Sequence, residues 1–484
     1  MSRNSGVKLK PFVDSEKDGA QRRLEDLGYP QELNRNLSLT GNVVMALSNV
    51  SPLMAAFVYA LAAFATVGLA SAPSAILQGI NVIFIGFIIA ELGSIYPVSG
   101  GLYSIISYIL PKPLVYVAVF TFMVQAFIYP PSIALGVGQY LQILFPQLPQ
   151  GAIATGVIAA IAFIIALIIG LGSIVTNNRV AKILLLLQMA VILVFLVVTF
   201  ANPQRSLIDV VFAPEMLNES GTGLSPVSMG AVLMGLGILV ASIDGYPASL
   251  GFSEETKGSC RTIGKAAFIS ALSTAVIIVV VIVMGIVSAP NLVDFLNAPS
   301  PLLYTAEAYL GVIGTNLVNV GIIIASFSCL VVIINYMARV IYTGGRDGIW
   351  PKKVNAFLTK VSVKSQIPWA ATTLIAIVGC FLVFYSNLIQ LVIWGGAAAA
   401  TVYLLVAIGA INSRREKDLT RPFKMPLFPL PPIIVIVLLL IALASQTWDV
   451  LVAVSVLILI SMVYYFVYIR PRDAKEARLN GKNE

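Results

Sequence analysis

Residues 161–169, 183–200, 275–287 and 433–444 run through apolar side chains with no charge and almost no polar group. Such runs reach or approach the roughly 20 residues needed to cross a hydrocarbon core about 30 Å thick. They are apolar on every side, whereas a soluble surface helix is apolar along one stripe. Composition agrees, because 11% of the 484 residues are charged, against about 25% in a soluble domain. The chain therefore reads as an all-α membrane protein, multi-pass in the cell membrane, with the lipid bilayer as an obligatory partner.

Several function classes lose support. Histidine is absent, which removes the commonest metal ligand and the usual general base. Cys260, Cys329 and Cys380 are too far apart to announce a disulfide framework or a metal cluster. No enzyme activity and no cofactor are expected. Residues 1–36 are polar and of mixed charge, unlike a cleavable signal peptide.

Hydropathy and helix breakers predict twelve spans, near 40–68, 74–95, 113–145, 151–172, 180–201, 227–252, 265–289, 302–336, 369–386, 388–411, 427–446 and 448–469. Charge tests that map. With the N-terminus inside, 29 of the 30 Lys and Arg residues fall on cytoplasmic segments and Arg205 alone falls outside. Orientation follows this bias in short loops, so both termini are expected in the cytoplasm. The net charge of +8 is explained by anchoring against anionic lipid, and no nucleic-acid partner is implied. Oligomeric state is left open.

Two spans carry proline and polar residues in their bodies. Span 1 contains Ser48, Asn49, Val50, Ser51 and Pro52, and span 6 contains Ser242, Ile243, Asp244, Gly245, Tyr246 and Pro247. A short polar side chain just before proline is the mark of a helix start. Each span thus reads as two half-helices joined by an extended stretch. Spans 1 and 6 are the first members of two five-span halves, and paired interruptions at corresponding positions point to a transporter binding site. An ordinary proline kink is the alternative for either span taken alone.

Further motifs lie outside the breaks. They are Glu32-Leu33-Asn34-Arg35-Asn36-Leu37-Ser38, the stretch from Ala90-Glu91-Leu92-Gly93 through Tyr96-Pro97-Val98-Ser99-Gly100-Gly101-Leu102-Tyr103, and Ser253-Glu254-Glu255-Thr256. Ala338-Arg339-Val340-Ile341-Tyr342, Arg346-Asp347-Gly348-Ile349-Trp350-Pro351 and Arg421-Pro422-Phe423-Lys424-Met425-Pro426 follow. In this order, over about residues 32 to 470, the chain resembles the amino acid–polyamine–organocation superfamily of permeases, closest to the branch of GABA, choline and amino-acid permeases. The resemblance implies a leucine-transporter-type fold: two inverted five-helix repeats plus two additional helices. On this chain they fall at 40–201, 227–411 and 427–469, with a cytoplasmic segment at 1–39 and a tail at 470–484. It also implies a small-molecule substrate held between spans 1 and 6, with spans 3, 8 and 10 completing the pocket. The matching positions are Ser48, Asn49, Val50, Ser51, Leu53 and Met54, with Ala241, Ser242, Ile243, Asp244, Gly245 and Tyr246.

The chain departs from its relatives at several points. Ser51-Pro52-Leu53-Met54 stands where many members have a glycine-rich stretch, leaving the N–H groups of Leu53 and Met54 for a substrate carboxylate. Pro247 and Gly251 replace an Asp and a His common in the GABA/choline branch. Some relatives carry a Lys in span 5 whose ammonium replaces a sodium ion. With one inserted residue, Gln188 falls there, and a neutral amide cannot take that role.

Ionisable residues inside a membrane are costly and functional by default. Asp244 reads as a counter-ion for a substrate ammonium, as a proton-coupling carboxylate, or as an N-cap of the second half-helix. Glu91 is expected to pair with a cytoplasmic Arg such as Arg339, and Glu307 to lie near the outer end of span 8. Ser326 and Ser328 offer oxygens to a sodium site, or simply bond back to the preceding turn, so Na+ or H+ coupling and exchange all stay open. Gln125 and Tyr129, four apart on span 3, share one helix face. The leading expectation is a secondary transporter for an amino acid or related amine, with a polyamine or quaternary-amine carrier as alternative. A channel, an intramembrane enzyme and a non-transporting nutrient sensor are the rivals from other classes.

Overall fold

The protein, represented by a computed structural model, is described over residues 19–27, 35, 37–98, 100–171, 174–362, 367–416 and 419–480. Glu32, Leu33, Asn34, Asn36 and Ser99 of the motifs above lie outside the described residues. Apart from one hairpin pairing Glu215–Leu217 with Leu224–Pro226, every named element is a helix. Among the described residues, eight helical stretches are long and apolar enough to cross a membrane, from the 57-residue Leu39–Ile95 to Trp448–Lys475. Three shorter apolar helices, Met229–Ser242, Trp369–Tyr385 and Leu430–Ala444, accompany them. This is what a backbone surrounded by hydrocarbon requires, since a helix satisfies its own N–H and C=O groups. Helices below keep the number of the predicted span they match.

Span 1 begins at Leu39, where Ser38 Oγ accepts the Gly41 N–H at 3.1 Å and caps the first turn. It is helical to Val50, breaks at Ser51 (φ 50°, ψ 70°), and resumes at Pro52. Gly68 (φ 60°) then turns the chain into span 2, Ser71–Ile95. Span 6 is helical over Met229–Ser242, opens over the next five residues and closes with one turn, Ala248–Gly251. Turns follow from Phe252 onward, close to the predicted end of the span. In span 8 the helical stretch Pro301–Arg346 hides a kink at Gly311 (φ 63°, ψ −178°). Glu307 sits exposed on the short helix before that kink, near the end of the stretch that matches span 8, as expected.

Small residues set the packing. A Cβ at Gly79 would lie 2.7 Å from Val279 Cγ2, and one at Gly86 would lie 2.8 Å from Ala271 Cβ. Spans 2 and 7, Cys260–Val287, thus meet along a glycine-bearing seam, as lipid-embedded helices do where hydrophobic attraction between them is lacking. Gly396 in span 10, Leu388–Ser413, brings it equally close to span 6, since a Cβ there would lie 2.8 Å from Gly237 O.

The ends of spans 1 and 6 are strapped together. Leu37 forms a parallel bridge with Thr256, its N–H donating to Glu255 O at 2.9 Å while its carbonyl accepts the Lys257 N–H at 2.8 Å. Asn42 Nδ2 donates to Ser249 O at 3.0 Å and to Thr256 Oγ1 at 2.8 Å. On the same side Glu91, 1% exposed, takes two arginines: Arg414 Nη2 at 2.5 Å and Arg421 Nη1 at 3.2 Å, with the Met425 N–H at 2.7 Å. Glu91 thus pairs with arginine as expected, and the partners are Arg414 and Arg421 in place of Arg339. The arginines beyond span 10 reach it because the loop after Ser413 folds back under span 2, where Phe423 N donates to Ser94 Oγ at 3.1 Å.

Removing one partner of a buried ion pair strands the other charge, at about 3 kcal/mol or more. Glu91→Ala should therefore lower unfolding stability by about that amount in a detergent-solubilised denaturation series. An unchanged midpoint would show that Arg414 and Arg421 find solvent once Glu91 is gone.

Candidate functional site

The two breaks touch. Asn49 Nδ2 donates to Gly245 O at 3.1 Å, and a Cβ on Gly245 (φ 90°) would lie 3.1 Å from Val50 Cα. Glycine is required there on both counts: the backbone is left-handed, and the facing helix leaves no room. Against this junction lies a cavity walled by spans 1, 3, 6, 8 and 10.

Among the described residues, Asp244 is the one ionisable acid or base lining the cavity apart from tyrosines and Cys329. Its Oδ1 accepts the Gly245 N–H at 2.6 Å and the Tyr403 hydroxyl, and its Oδ2 accepts the Tyr129 hydroxyl at 3.2 Å. Three donors around one carboxylate are the arrangement that suits an anion. The Asp244 side chain does not cap the second half-helix as predicted. The Asp244-Gly245 turn bends the carboxylate onto its own next N–H, and Pro247, which starts the final turn, has no side-chain cap. Tyr129 also donates to Gly395 O at 3.1 Å, and Tyr246 stacks on Tyr403 with centroids 5.9 Å apart. Span 3 thereby locks span 10 around the carboxylate.

Of the predicted site residues, Asn49, Val50, Met54, Gln125, Tyr129, Ala241, Asp244 and Gly245 line this cavity. Ser48, Ser51, Leu53, Ser242, Ile243 and Tyr246 are buried behind it. Ser48 spends its hydroxyl on Val44 O at 2.9 Å. Ser51 holds the N-cap position, its carbonyl accepting the Ala55 N–H at 2.9 Å, but its left-handed backbone turns the hydroxyl away and the side chain does not cap. The single hydroxyl proton is shared instead between Gln188 Oε1 at 2.9 Å and Ala325 O at 3.1 Å. The cluster brings together spans 1, 5 and 8. Ser326 bonds back to Ile322 O at 2.8 Å, and Ser328 is buried nearby without lining the cavity. Among the described residues the N–H groups of Leu53 and Met54 have no acceptor, as expected where Pro52 starts a helix.

Sequence reasoning missed Tyr403, a hydroxyl partner of Asp244. It lies in a long apolar helix, and nothing in its immediate sequence distinguishes it from an interfacial tyrosine. Tyr59, Tyr336 and Cys329 also face the cavity, and Cys329 Sγ donates to Asn49 O at 3.5 Å. Tyr59 lies in a five-residue π-helical turn, Ala55–Tyr59, just past the break, a local widening frequent at functional sites.

Gly245→Ala should place a methyl group against Val50 in an unfavourable backbone region, at a cost of about 1–3 kcal/mol. Its thermal midpoint should fall clearly below that of Gly221→Ala, whose site is open. Equal midpoints would mean that the two breaks are not in contact.

Comparison with known proteins places this arrangement. The branched-chain amino acid permease BcaP of Bacillus subtilis (strain 168) is 25% identical over 432 residues, covering 84% of this chain and 86% of the relative. The methylthioribose transporter of the same organism is 23% identical over 419 residues, covering 82% and 85%. The low-affinity putrescine importer PlaP of Escherichia coli (strain K12) is 24% identical over 416 residues, covering 82% and 86%. The profile of the amino acid permease family matches residues 37–468, both breaks and every residue of the cavity included. The chain thus belongs to the amino acid permease family.

Proposed function

We propose that this permease is a secondary active transporter carrying an amino acid or amino-acid-derived amine across the cell membrane by alternating access, with the substrate ammonium against Asp244. One observation carries this reading: a half-buried carboxylate lines the cavity and, among the described residues, no Lys or Arg lines it. An ionised group inside the membrane is costly unless paired, and an ammonium supplies the missing charge. Ile133, Ile333, Val402 and Met337 line the same cavity and suit an aliphatic body. For an amino acid, the free N–H groups at the Pro52 helix start suit the carboxylate. The relatives' named substrates differ in charge, so the ammonium reading rests on Asp244 and not on kinship.

The frame we propose has twelve crossings: the Leu39–Ile95 stretch counted as two limbs, the seven other long stretches and the three shorter apolar helices. Residues 40–201 and 227–411 form inverted five-helix repeats, 427–469 add two helices, and 1–39 and 470–484 lie in the cytoplasm. Support comes from the meeting of the breaks in the first helix of each half and from the Lys and Arg bias. The coupling ion is assigned to Na+ at Ser51, Gln188 and Ala325, where three neutral oxygens converge and no group titrates. A proton would act at Asp244 instead. The tyrosines around Asp244 favour a second reading, a polyamine or quaternary-amine carrier or exchanger.

Asp244→Asn should cut uptake of amines and amino acids into proteoliposomes at least about tenfold at equal protein abundance. Unchanged uptake would reduce Asp244 to a structural turn, and binding without flux in the wild type would mark a sensor. Replacing external Na+ by N-methylglucamine should slow uptake by the wild type and have little effect on Gln188→Leu. Uptake driven equally well by a pH gradient alone would move coupling to Asp244.

A further inference from the structure

A buried acceptor at the junction of the breaks lacks a donor. Asn49 is 5% exposed and lines the cavity. Its amide nitrogen donates to Gly245 O at 3.1 Å, which fixes the amide orientation. Among the described residues, Oδ1 has no hydrogen-bond partner. Gly245 joins this amide to Asp244, since its carbonyl accepts from Asn49 while its N–H donates to Asp244 Oδ1 at 2.6 Å. The amide and the carboxylate therefore flank one residue on one wall.

Building on the assignment of the ammonium to Asp244, we infer that Asn49 Oδ1 is a second acceptor for that ammonium. The site then selects a nitrogen bearing at least two hydrogens, a primary or secondary ammonium, over a quaternary one. Charge alone does not make this choice, because a trimethylated nitrogen carries the same +1. Hydrogen bonding does. Asp244 already accepts from Tyr403, Tyr129 and Gly245, and a carboxylate has about four lone-pair sites. A primary ammonium fills the remaining site with one N–H and reaches Asn49 Oδ1 with another. A quaternary nitrogen displaces water from Oδ1 and offers nothing in return, leaving a buried acceptor unpaired. Sites built around such a bond discriminate far more sharply than apolar walls do against one added methyl group. Asn49 is thus a specificity-determining residue.

The test compares 3-methylbutylamine and leucine, each beside its N,N,N-trimethyl derivative, by calorimetric binding to the purified full-length protein. Trimethylation should weaken binding to the wild type by about 30-fold, the equivalent of two lost hydrogen bonds. Asn49→Leu keeps the branched outline of the side chain and should shrink that ratio by about fivefold, the share of one of the two bonds, chiefly by weakening the parent compounds. Asn49→Ala serves as the second variant should the leucine protein fail to elute as a single species. Equal wild-type affinity for parent and derivative overturns the inference, as does an unchanged ratio in the variants. Failure of every compound to bind, or binding unaffected by Asp244→Asn, defeats the Asp244 assignment itself and the inference with it.

Discussion

A backbone carbonyl or N–H opened in the middle of a bilayer has no water to turn to, and this chain opens its backbone twice. The contact that makes both openings tolerable is the one between them. Asn49 closes the Gly245 carbonyl, and Gly245 in turn closes one oxygen of Asp244. The Ser51 hydroxyl closes the Ala325 carbonyl and meets Gln188. Among the described residues, what stays open around the breaks includes two N–H groups after Pro52, the Asn49 amide oxygen, the Gln125 amide nitrogen and the Ser242 hydroxyl, beside the Asp244 carboxylate. They include the polar complement of an amino acid or an amine.

The surroundings divide into parts that hold and parts that have to give. The Leu37–Thr256 bridge and Asn42 tie the first limb of span 1 to the second half of span 6 and the segment after it. Glu91 with Arg414 and Arg421 ties span 2 to the chain beyond span 10. Tyr129, by contrast, divides its hydroxyl between Asp244 and Gly395 O. A hydroxyl shared at 3.1–3.2 Å is easier to reassign than a buried carboxylate held by two arginines. Rearrangement at the site therefore costs less than rearrangement of the clamp beneath it.

Much of this was legible from residue order. Uncharged runs located the long helices, proline after a polar residue located the breaks, and the four-residue spacing of Gln125 and Tyr129 put both on the cavity wall. The misreadings share a cause. Ser51 and Asp244 look like helix caps because local sequence records which residue precedes a proline, not which way its side chain turns. Ser51 is turned by a left-handed backbone, and Asp244 is claimed by Tyr403, distant in sequence. Glu91 pairs with arginines of a segment expected in the cytoplasm, but the sequence suggests Arg339 after span 8, whereas the loop after Ser413 folds beneath span 2 and delivers Arg414 and Arg421. Long-range packing decides such pairings, and periodicity carries no trace of it.

The central claim is that the cavity at the junction of spans 1 and 6 is reached in turn from the two faces of the membrane. Cys329 lines that cavity and is buried, so its thiol reports access directly. With Cys260 and Cys380 replaced by serine, a membrane-impermeant maleimide should modify Cys329 when supplied from either face of an oriented vesicle. A transported amine or amino acid should slow both reactions. Modification from one face only, or a rate indifferent to every compound that the protein takes up, would contradict the account.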